Sequence, residues 1–239
     1  MKKILACNIG SPDDVDAALE HDAEAIGLFR SEFLFMDSKE LPSEDEQFNA
    51  YKKVAVALNG NPVIIRTLDV GGDKEIPYLH MEKEDNPFMG FRAVRYCLEN
   101  PDQYKVQLRA LLRASAFGDV KIMVPLVTCV EEVRAVKALV EECKAELTAE
   151  GKKFNENIEV GIMVETPAAS LIADKLAQEA DFFSIGTNDL IGYTMCADRG
   201  NDTISNLYQV YYPSVIRSLK NIIESGVKAG IMVGMCGEA

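Results

Sequence analysis

The sequence predicts an α/β fold, a (β/α)8 barrel, from three observations. Short apolar runs alternate with longer helical stretches along the chain. Several of these runs are apolar at successive positions, as in parallel strands that are buried on both faces. The length of 239 residues is close to the roughly 250 that are typical of such barrels. An open doubly wound sheet is the competing architecture, but the G-x-G-x-x-G turn that often follows its first strand does not occur here.

The pattern predicts seven strands, one fewer than a complete barrel contains. In chain order they are Ile4–Asn8, Ala25–Phe29, Val63–Thr67, Lys121–Leu126, Glu159–Val164, Phe182–Gly186 and Ile231–Met235. Their alternation with helices indicates right-handed crossovers in a parallel sheet. Because no linker or low-complexity tract interrupts the pattern, we expect a single domain over residues 1–239, incomplete at its C-terminal end.

Helix starts are predicted where a capping residue precedes the first turn. The candidates are Ser11, Ser43, Asn100, Thr128 and Thr166. Proline follows Ser11, Asn100 and Thr166 directly, at the first helical position where it is favoured. Ser43 and Thr128 have a glutamate three residues later, which is the capping-box pattern.

Composition and charge exclude several classes of function. The net charge is −13, so the chain as a whole repels nucleic acid and anionic membranes. No run approaches the roughly 20 apolar residues of a membrane helix, and the N-terminus does not have the pattern of a signal peptide. The six cysteines are scattered, without a CxxC pair, which indicates reduced thiols in the cytoplasm rather than a zinc site.

Reactive side chains follow the predicted strands at their C-terminal ends, where barrel active sites are built. In chain order they are Arg30, Arg66, Asp69, Glu165, Asn188, Asp189, Arg199 and Cys236. Each alone has an ordinary structural explanation: a surface ion pair, a turn or helix cap, or a buried thiol. The opposite strand ends carry no comparable set, so the coincidence favours a functional site.

These residue types indicate a particular chemistry. Arginine binds phosphate or carboxylate groups through a planar fork of donors, and a strongly acidic chain needs local arginines to bind an anion. Two carboxylates plus substrate oxygens are a typical magnesium arrangement. A thiol beside them can donate or accept a proton. The set therefore predicts a site for a small phosphorylated acid with Mg²⁺.

Eight stretches of the sequence carry a family resemblance. They are AIGLFRSEFLFM, VIIRTLDVGGDKEIPY, NPFMGFRAVR, ASAFG, VGIMVETPAA, DFFSIGTNDL, ADRGND and GMCGE. In this order they resemble the C-terminal, phosphoenolpyruvate-binding domain of Enzyme I, the phosphoenolpyruvate–protein phosphotransferase family of the bacterial sugar phosphotransferase system. Pyruvate phosphate dikinase and phosphoenolpyruvate synthase share some of these elements, but RSEFLFM and RTLDVGGDKEIPY are similar to Enzyme I.

The resemblance implies a barrel of the phosphoenolpyruvate/pyruvate type that binds phosphoenolpyruvate and Mg²⁺. It implies Glu165 and Asp189 as metal ligands and Cys236 as the general acid–base residue that protonates the enolate of pyruvate. The positions that match substrate contacts are Arg30, Arg66, Arg92, Asn188 and Arg199.

The resemblance also implies partners. The phosphoryl acceptor in the family is a histidine on a separate N-terminal domain, which in turn supplies the histidine-containing phosphocarrier protein. The family is cytoplasmic and dimerises through this domain.

The sequence departs from the family at several points. The histidines, His21 and His80, lie outside any motif that resembles the phosphohistidine site. Gly192 stands where family members usually have glutamine, and 209–212 lacks the expected proline-containing pattern. The family pattern continues past Cys-Gly-Glu through an eighth strand and terminal helices.

These departures leave two alternatives open. The chain could be a non-catalytic fragment or a dimerisation module. It could also be a dikinase- or synthase-type relative, but that enzyme would need a nucleotide-grasp domain, and no glycine-rich phosphate loop occurs here.

Overall fold

A computed structural model describes residues 4–71 and 76–237 of the chain. The chain divides into two compact units. The first comprises Met1–Met123 and Ala135–Glu159, and the second comprises Val124–Arg134 and Val160–Ala239. That residues 1–239 form a single domain remains a prediction.

Parallel strands form the centre of each unit. Those of the first unit are β1 (Ala6–Ile9), β2 (Ala25–Arg30), β3 (Val63–Arg66) and β4 (Val120–Val124), whose last residue belongs to the second unit. Those of the second unit are β5 (Val160–Val164), β6 (Phe182–Gly186) and β7 (Met232–Cys236). Within each unit the strands follow one another in chain order. Every predicted strand is present, with its ends within two residues of the prediction.

Helices connect the strands, as a β/α alternation requires. The helices are α1 (Asp14–Glu20), α2 (Glu32–Met36), α3 (Glu44–Ala57), α4 (Val94–Glu99), α5 (Pro101–Ala114), α6 (Val130–Ala149), α7 (Pro167–Leu171), α8 (Ala173–Leu176), α9 (Thr187–Met195) and α10 (Pro213–Ala229). Short 3-10 helices occupy Pro77–Leu79, Pro87–Met89 and Asp202–Leu207. The (β/α)8 class is thereby confirmed with seven strands, and no eighth strand occurs in residues 4–71 and 76–237.

The predicted helix starts are confirmed in three of five places. Helix α5 begins at Pro101 with Asn100 as its N-cap residue. Ser43 and Glu46 form a complete capping box at α3, and the Thr166 hydroxyl accepts the Ala169 N–H at 3.1 Å at α7. The other two predictions were wrong. Helix α1 begins at Asp14 rather than directly after Ser11, because the Asp14 carboxylate accepts the N–H groups of the preceding turn.

At α6 the acid that reaches back is one residue later than predicted. The Glu132 carboxylate, rather than that of Glu131, accepts the Thr128 N–H at 2.6 Å and the Cys129 N–H at 3.1 Å. The spacing is therefore four residues from Thr128, one more than the capping-box pattern assumes.

None of the helices in the described part of the chain is both long enough and apolar enough to span a bilayer.

An arginine ties three helices of the first unit together. Arg109 on α5 contacts Glu44 of α3 at 2.6 Å, Glu146 of α6 at 3.0 Å and Glu150 beyond α6 at 2.9 Å. Its side chain is 12% exposed, so these pairs are better shielded from water than an ordinary surface pair. The hydrogen bond from Arg109, followed by that from Lys152, lowers the pKa of Glu150 from 4.5 to about 2.

We expect Arg109→Gln to lower the melting temperature at pH 7 by roughly 3 °C or more, because three carboxylates lose their common partner. The depressed pKa of Glu150 means that its share of the stability is present above pH 4.5 and is lost as the pH falls towards 2. The difference between the variant and the wild type should therefore shrink over that window. Thermal melts followed by circular dichroism at pH 7, 4.5 and 3 measure it.

Arg134→Gln is the matched control, since its pair with Glu179 is 62% exposed on the arginine side. Its melting temperature should change by about 1 °C or less. Equal effects of the two substitutions at pH 7 would contradict the argument from shielding.

Candidate active site

Two arginines occupy facing positions at the ends of neighbouring strands. Arg30 ends β2 and pairs in register with Arg66 at the end of β3. Arg30 is exposed, and its guanidinium lies over the Phe33 ring at 5.0 Å. Arg66 is only 7% exposed. The prediction that these two arginines lie together at the C-terminal ends of their strands is confirmed.

A buried chain of four charges links Arg66 to Arg92. We call it the ion chain, and it consists of Glu32, Arg66, Asp69 and Arg92. Arg66 contacts Glu32 at 2.5 Å through Nη2 and Asp69 at 3.1 Å through Nη1, and Arg92 Nη2 contacts the other Asp69 oxygen at 2.8 Å. No member is more than 7% exposed. Positive and negative groups alternate along these contacts, so each of the four buried charges has a partner of opposite sign.

Hydrogen bonds fix the backbone beneath the ion chain. Gln107 of α5 accepts the Leu68 N–H at 2.8 Å and donates to the Ser31 hydroxyl at 3.0 Å. Ser31 in turn donates to the Arg66 carbonyl at 2.6 Å. Gln107 is 1% exposed and also contacts the Tyr51 hydroxyl at 3.1 Å. One buried amide therefore braces both segments that carry the acids.

The backbone also places Arg92. Ala93 donates its N–H to the Val70 carbonyl at 3.1 Å and has a positive φ of 51°. Gly71 has a φ of 101°, and a Cβ there would lie 2.6 Å from Arg92 Cβ. Glycine is required at 71 both by this conformation and by the close approach of Arg92. Gly72 lies outside the described residues.

In the second unit, Glu165 follows β5 and is 3% exposed. Its carboxylate accepts the Leu126 N–H at 2.7 Å. Leu126 has a positive φ of 55°, a strained conformation for a residue other than glycine. Gly186 makes room for the same carboxylate, since a Cβ there would lie 2.6 Å from Glu165 Oε2.

Cys236 ends β7 and pairs in register with Gly186 at the end of β6. Its thiol is 3.4 Å from the Ser184 hydroxyl and 3.6 Å from the Ile185 carbonyl. The thiol can donate to the Ile185 carbonyl, and it can donate to or accept from the Ser184 hydroxyl. Cys236 is 9% exposed.

Asn188 and Asp189 lie in the first turn of α9, directly after β6, and both are partly exposed. The Tyr208 hydroxyl donates to the Asn188 carbonyl at 2.8 Å, which connects the segment before 209–212 to this turn. Arg199 lies in the exposed loop that follows α9. A Cβ on Gly192 would meet its nearest atom, the Ala197 oxygen, at 3.4 Å, so packing does not demand glycine there.

Sequence reasoning missed several residues that support the site. Glu32, Gln107 and Leu126 were not among the candidates. Glu32 contacts Arg66 and Leu126 contacts Glu165 directly. Gln107 contacts Leu68 and Ser31, the neighbours of Asp69 and Glu32 in sequence. Glu32 gives a weak signal: an acid within the apolar stretch SEFLFM, directly after a strand end. Gln107 and the conformation of Leu126 give none, because both act through contacts that are distant in sequence.

A second buried thiol lies beneath the ion chain without the features of a reactive one. Cys97 contacts the Leu68 carbonyl at 3.7 Å and is 2% exposed. Burial, and secondarily the charge of Asp69, raises the pKa of the Cys97 thiol well above its usual range. The thiolate that nucleophilic chemistry requires is therefore disfavoured at this position.

We expect Gly186→Ala to lower the free energy of unfolding by about 1–3 kcal/mol, because the added methyl group overlaps the buried Glu165 carboxylate. Gly234→Ala on β7 is the matched control, since the nearest atom to its Cβ would be 3.8 Å away. Its effect should stay within about 0.5 kcal/mol. Urea unfolding of both variants measures the difference, and equal losses would show that Gly186 is not there to accommodate Glu165.

Comparison with solved structures supports the fold. An HpcH/HpaI aldolase/citrate lyase family protein from Burkholderia cenocepacia matches with a TM-score of 0.60 at 14% identity, over 98% of this chain and 79% of that one. A citrate lyase from Burkholderia xenovorans matches with a TM-score of 0.56 at 15% identity, over 98% of this chain and 64% of that one. At these identities the likeness concerns the fold alone.

Sequence relatives are much closer. A phosphoenolpyruvate-protein phosphotransferase of Geobacillus stearothermophilus is 56% identical over 234 residues, and that of Bacillus subtilis is 54% identical over 234 residues. Each alignment covers 98% of this chain but only 40% and 41% of the respective relatives. The chain therefore spans about two fifths of the length of the curated proteins that it matches.

The model of one protein family matches the chain over residues 1–239, and its description is PEP-utilising enzyme, PEP-binding domain. This match covers the ion chain of the first unit and the strand-end residues Glu165 and Cys236 of the second. The chain therefore belongs to the PEP-binding domain family of the PEP-utilising enzymes.

Proposed function

We propose that this chain is the substrate-binding part of a phosphoenolpyruvate–protein phosphotransferase. It binds phosphoenolpyruvate with Mg²⁺ and supports transfer of the phosphoryl group to a histidine on a separate N-terminal domain, with release of pyruvate. The observation that carries the proposal is the pair of buried arginines, Arg66 and Arg92, bridged by Asp69 in a chain that matches this family.

Arginines are assigned to the anionic groups of the substrate. Phosphoenolpyruvate carries a phosphate and a carboxylate, and guanidinium groups bind both through paired N–H donors. Arg30 and Arg66 supply such donors from facing strand ends, and Arg92 shares a carboxylate with Arg66. Arg199 and the Asn188 amide complete the proposed contacts. Charge that develops on the transferred group would be stabilised by these fixed cations.

The carboxylates of Glu165 and Asp189 suit Mg²⁺, which prefers hard oxygen ligands and keeps several water or substrate ligands. Glu165 is held by the Leu126 N–H, and Gly186 leaves space beside it. Within the described residues no group of three or more acidic, cysteine or histidine side chains is arranged for a metal. The proposed set is these two carboxylates, which match the family's metal ligands, and bound Mg²⁺ would supply Lewis-acid neutralisation of the phosphoryl oxygens.

Cys236 is assigned to proton transfer. When the bond between phosphorus and the enol oxygen breaks, the electron pair stays on oxygen as the enolate of pyruvate, and phosphorus bonds to the acceptor nitrogen. The Cys236 thiol then gives its proton to the methylene carbon and becomes a thiolate. Ser184 and the Ile185 carbonyl orient the thiol for this step.

The wider setting of the proposed reaction follows from the family. The histidine domain would pass the phosphoryl group to the histidine-containing phosphocarrier protein of a sugar phosphotransferase system. We propose a cytoplasmic protein that forms homodimers and acts without nucleic acid or membrane. A net charge of −13 agrees with the proposal that neither nucleic acid nor a membrane is a partner.

We expect the chain to bind phosphoenolpyruvate in the presence of Mg²⁺, and Glu165→Gln to weaken the Mg²⁺-dependent part of that binding by about tenfold or more. The reason is that the variant keeps the shape of the side chain but loses a charged oxygen ligand. Isothermal titration with and without Mg²⁺ measures both effects.

Glu179→Gln serves as the control for the titration, because this acid of the same unit pairs with the exposed Arg134. It should bind as the wild type does. A folded wild type that does not bind phosphoenolpyruvate would overturn the proposed function. Equal Mg²⁺-dependent binding by the wild type and Glu165→Gln would overturn the assignment of Glu165 as a metal ligand.

Proton exchange isolates the role of Cys236 without the histidine domain. With Mg²⁺ and pyruvate in D₂O, the chain should exchange the methyl protons of pyruvate, because the thiolate can remove the proton that the thiol donates in the forward direction. Cys236→Ala should reduce this rate by about a hundredfold or more while phosphoenolpyruvate binding is retained. Proton NMR follows the exchange.

Cys196→Ala is the matched control for the exchange measurement, since Cys196 is an exposed thiol of the same unit. It should exchange at the wild-type rate. Undiminished exchange by Cys236→Ala would exclude this cysteine as the proton donor.

A further inference from the structure

We propose that Asp69 and Glu32 are positioning residues, which fix the guanidinium groups of Arg66 and Arg92 in the orientation that receives the substrate. The inference rests on the proposed function, because it takes the two arginines as substrate contacts. It assigns a role to two acids that would otherwise be expected to repel an anionic substrate.

The geometry of Asp69 is that of a bridge. One carboxylate oxygen contacts Arg66 Nη1 at 3.1 Å, and the other contacts Arg92 Nη2 at 2.8 Å. Two guanidinium groups that approach one another repel, and a carboxylate between them offsets this repulsion. Asp69 is 2% exposed, so water screens these interactions weakly. The bridge therefore sets the distance between the two cations.

Glu32 fixes the remaining freedom of Arg66. It contacts Nη2 at 2.5 Å, while Asp69 contacts Nη1 of the same guanidinium. Bonds at both terminal nitrogens fix the plane of the group as well as its position. A guanidinium has five N–H donors, so carboxylate partners and a bound anion can be accommodated together.

The protein holds the two acids in place through neutral groups. Gln107 connects the Leu68 N–H with the Ser31 hydroxyl, and these are the neighbours of Asp69 and Glu32 in sequence. The orientation of the arginines is thus set before any ligand arrives. A long side chain that is already ordered loses less conformational entropy on binding.

Positioning and simple electrostatics predict opposite results for Asp69→Asn. If Asp69 acted only through its charge, its neutralisation would strengthen the binding of an anion, because a like charge is removed. If Asp69 positions the arginines, the variant binds phosphoenolpyruvate more weakly, although the nearby charge has become more favourable. The sign of the change therefore separates the two explanations.

The experiment measures phosphoenolpyruvate binding by titration at a temperature well below the melting transition of every variant. Asp69→Asn and Glu32→Gln should each weaken binding by about tenfold to a hundredfold, the range seen when partners that orient metal ligands are removed. Asp45→Asn is the control, because Asp45 also pairs with an arginine of the first unit, Arg113, but is 77% exposed. It should bind as the wild type does. Unchanged or tighter binding by folded Asp69→Asn would overturn the proposal.

A second measurement does not depend on the ligand. In the free protein, the side-chain nitrogen signals of Arg66 and Arg92 in NMR spectra should show slow rotation about the Nε–Cζ bond, and Asp69→Asn should make this rotation fast for both. Equal rotation in the variant and the wild type would overturn the positioning role even if affinity changed. If the wild type fails to bind phosphoenolpyruvate, the proposed function fails, while the rotation measurement still decides whether Asp69 fixes the two guanidiniums.

Discussion

The buried carboxylate of Asp69, shared between two arginines, is the interaction on which the first unit depends. Arg66 and Arg92 are separated by 25 residues of sequence and are joined through this one side chain. Four charges with little access to water are stable only while every member is present, and removal of one partner from such a group typically costs about 3–5 kcal/mol. The ion chain therefore constrains the strand ends of β2 and β3, the 68–71 backbone and the start of α4 together.

The second unit orders its acid by different means. Glu165 receives a backbone N–H from Leu126 and occupies space left by Gly186, so main-chain geometry at two distant positions helps to place its carboxylate. Asp69 is placed by contacts with two arginine side chains. Two acids of similar exposure are thus positioned by different kinds of partner.

The sequence indicated the fold through its strand runs and their spacing, because burial on both faces leaves a clear apolar signal. The residues at the strand ends were also predictable, since parallel strands bring their C-terminal ends to one edge. The bracing residues were not. Gln107 is a glutamine on a helix, and glutamine is a residue type usually exposed to solvent. Only the tertiary structure shows that it contacts Leu68 and Ser31. The predictions of helix starts at Ser11 and Thr128 failed because another carboxylate, that of Asp14 or Glu132, accepts the N–H groups at the start of the helix.

Leu126 shows how the donor to Glu165 limits sequence variation. Its left-handed backbone favours glycine, but its side chain is 1% exposed and belongs to the core. Glycine would relieve a conformational strain of about 1–3 kcal/mol and forfeit a burial of about 1.5–3 kcal/mol, so neither choice satisfies both demands. The position is locally frustrated. Substitution by glycine relieves the backbone strain but leaves a cavity in the core, whereas a large apolar side chain fills the core and keeps the strained backbone.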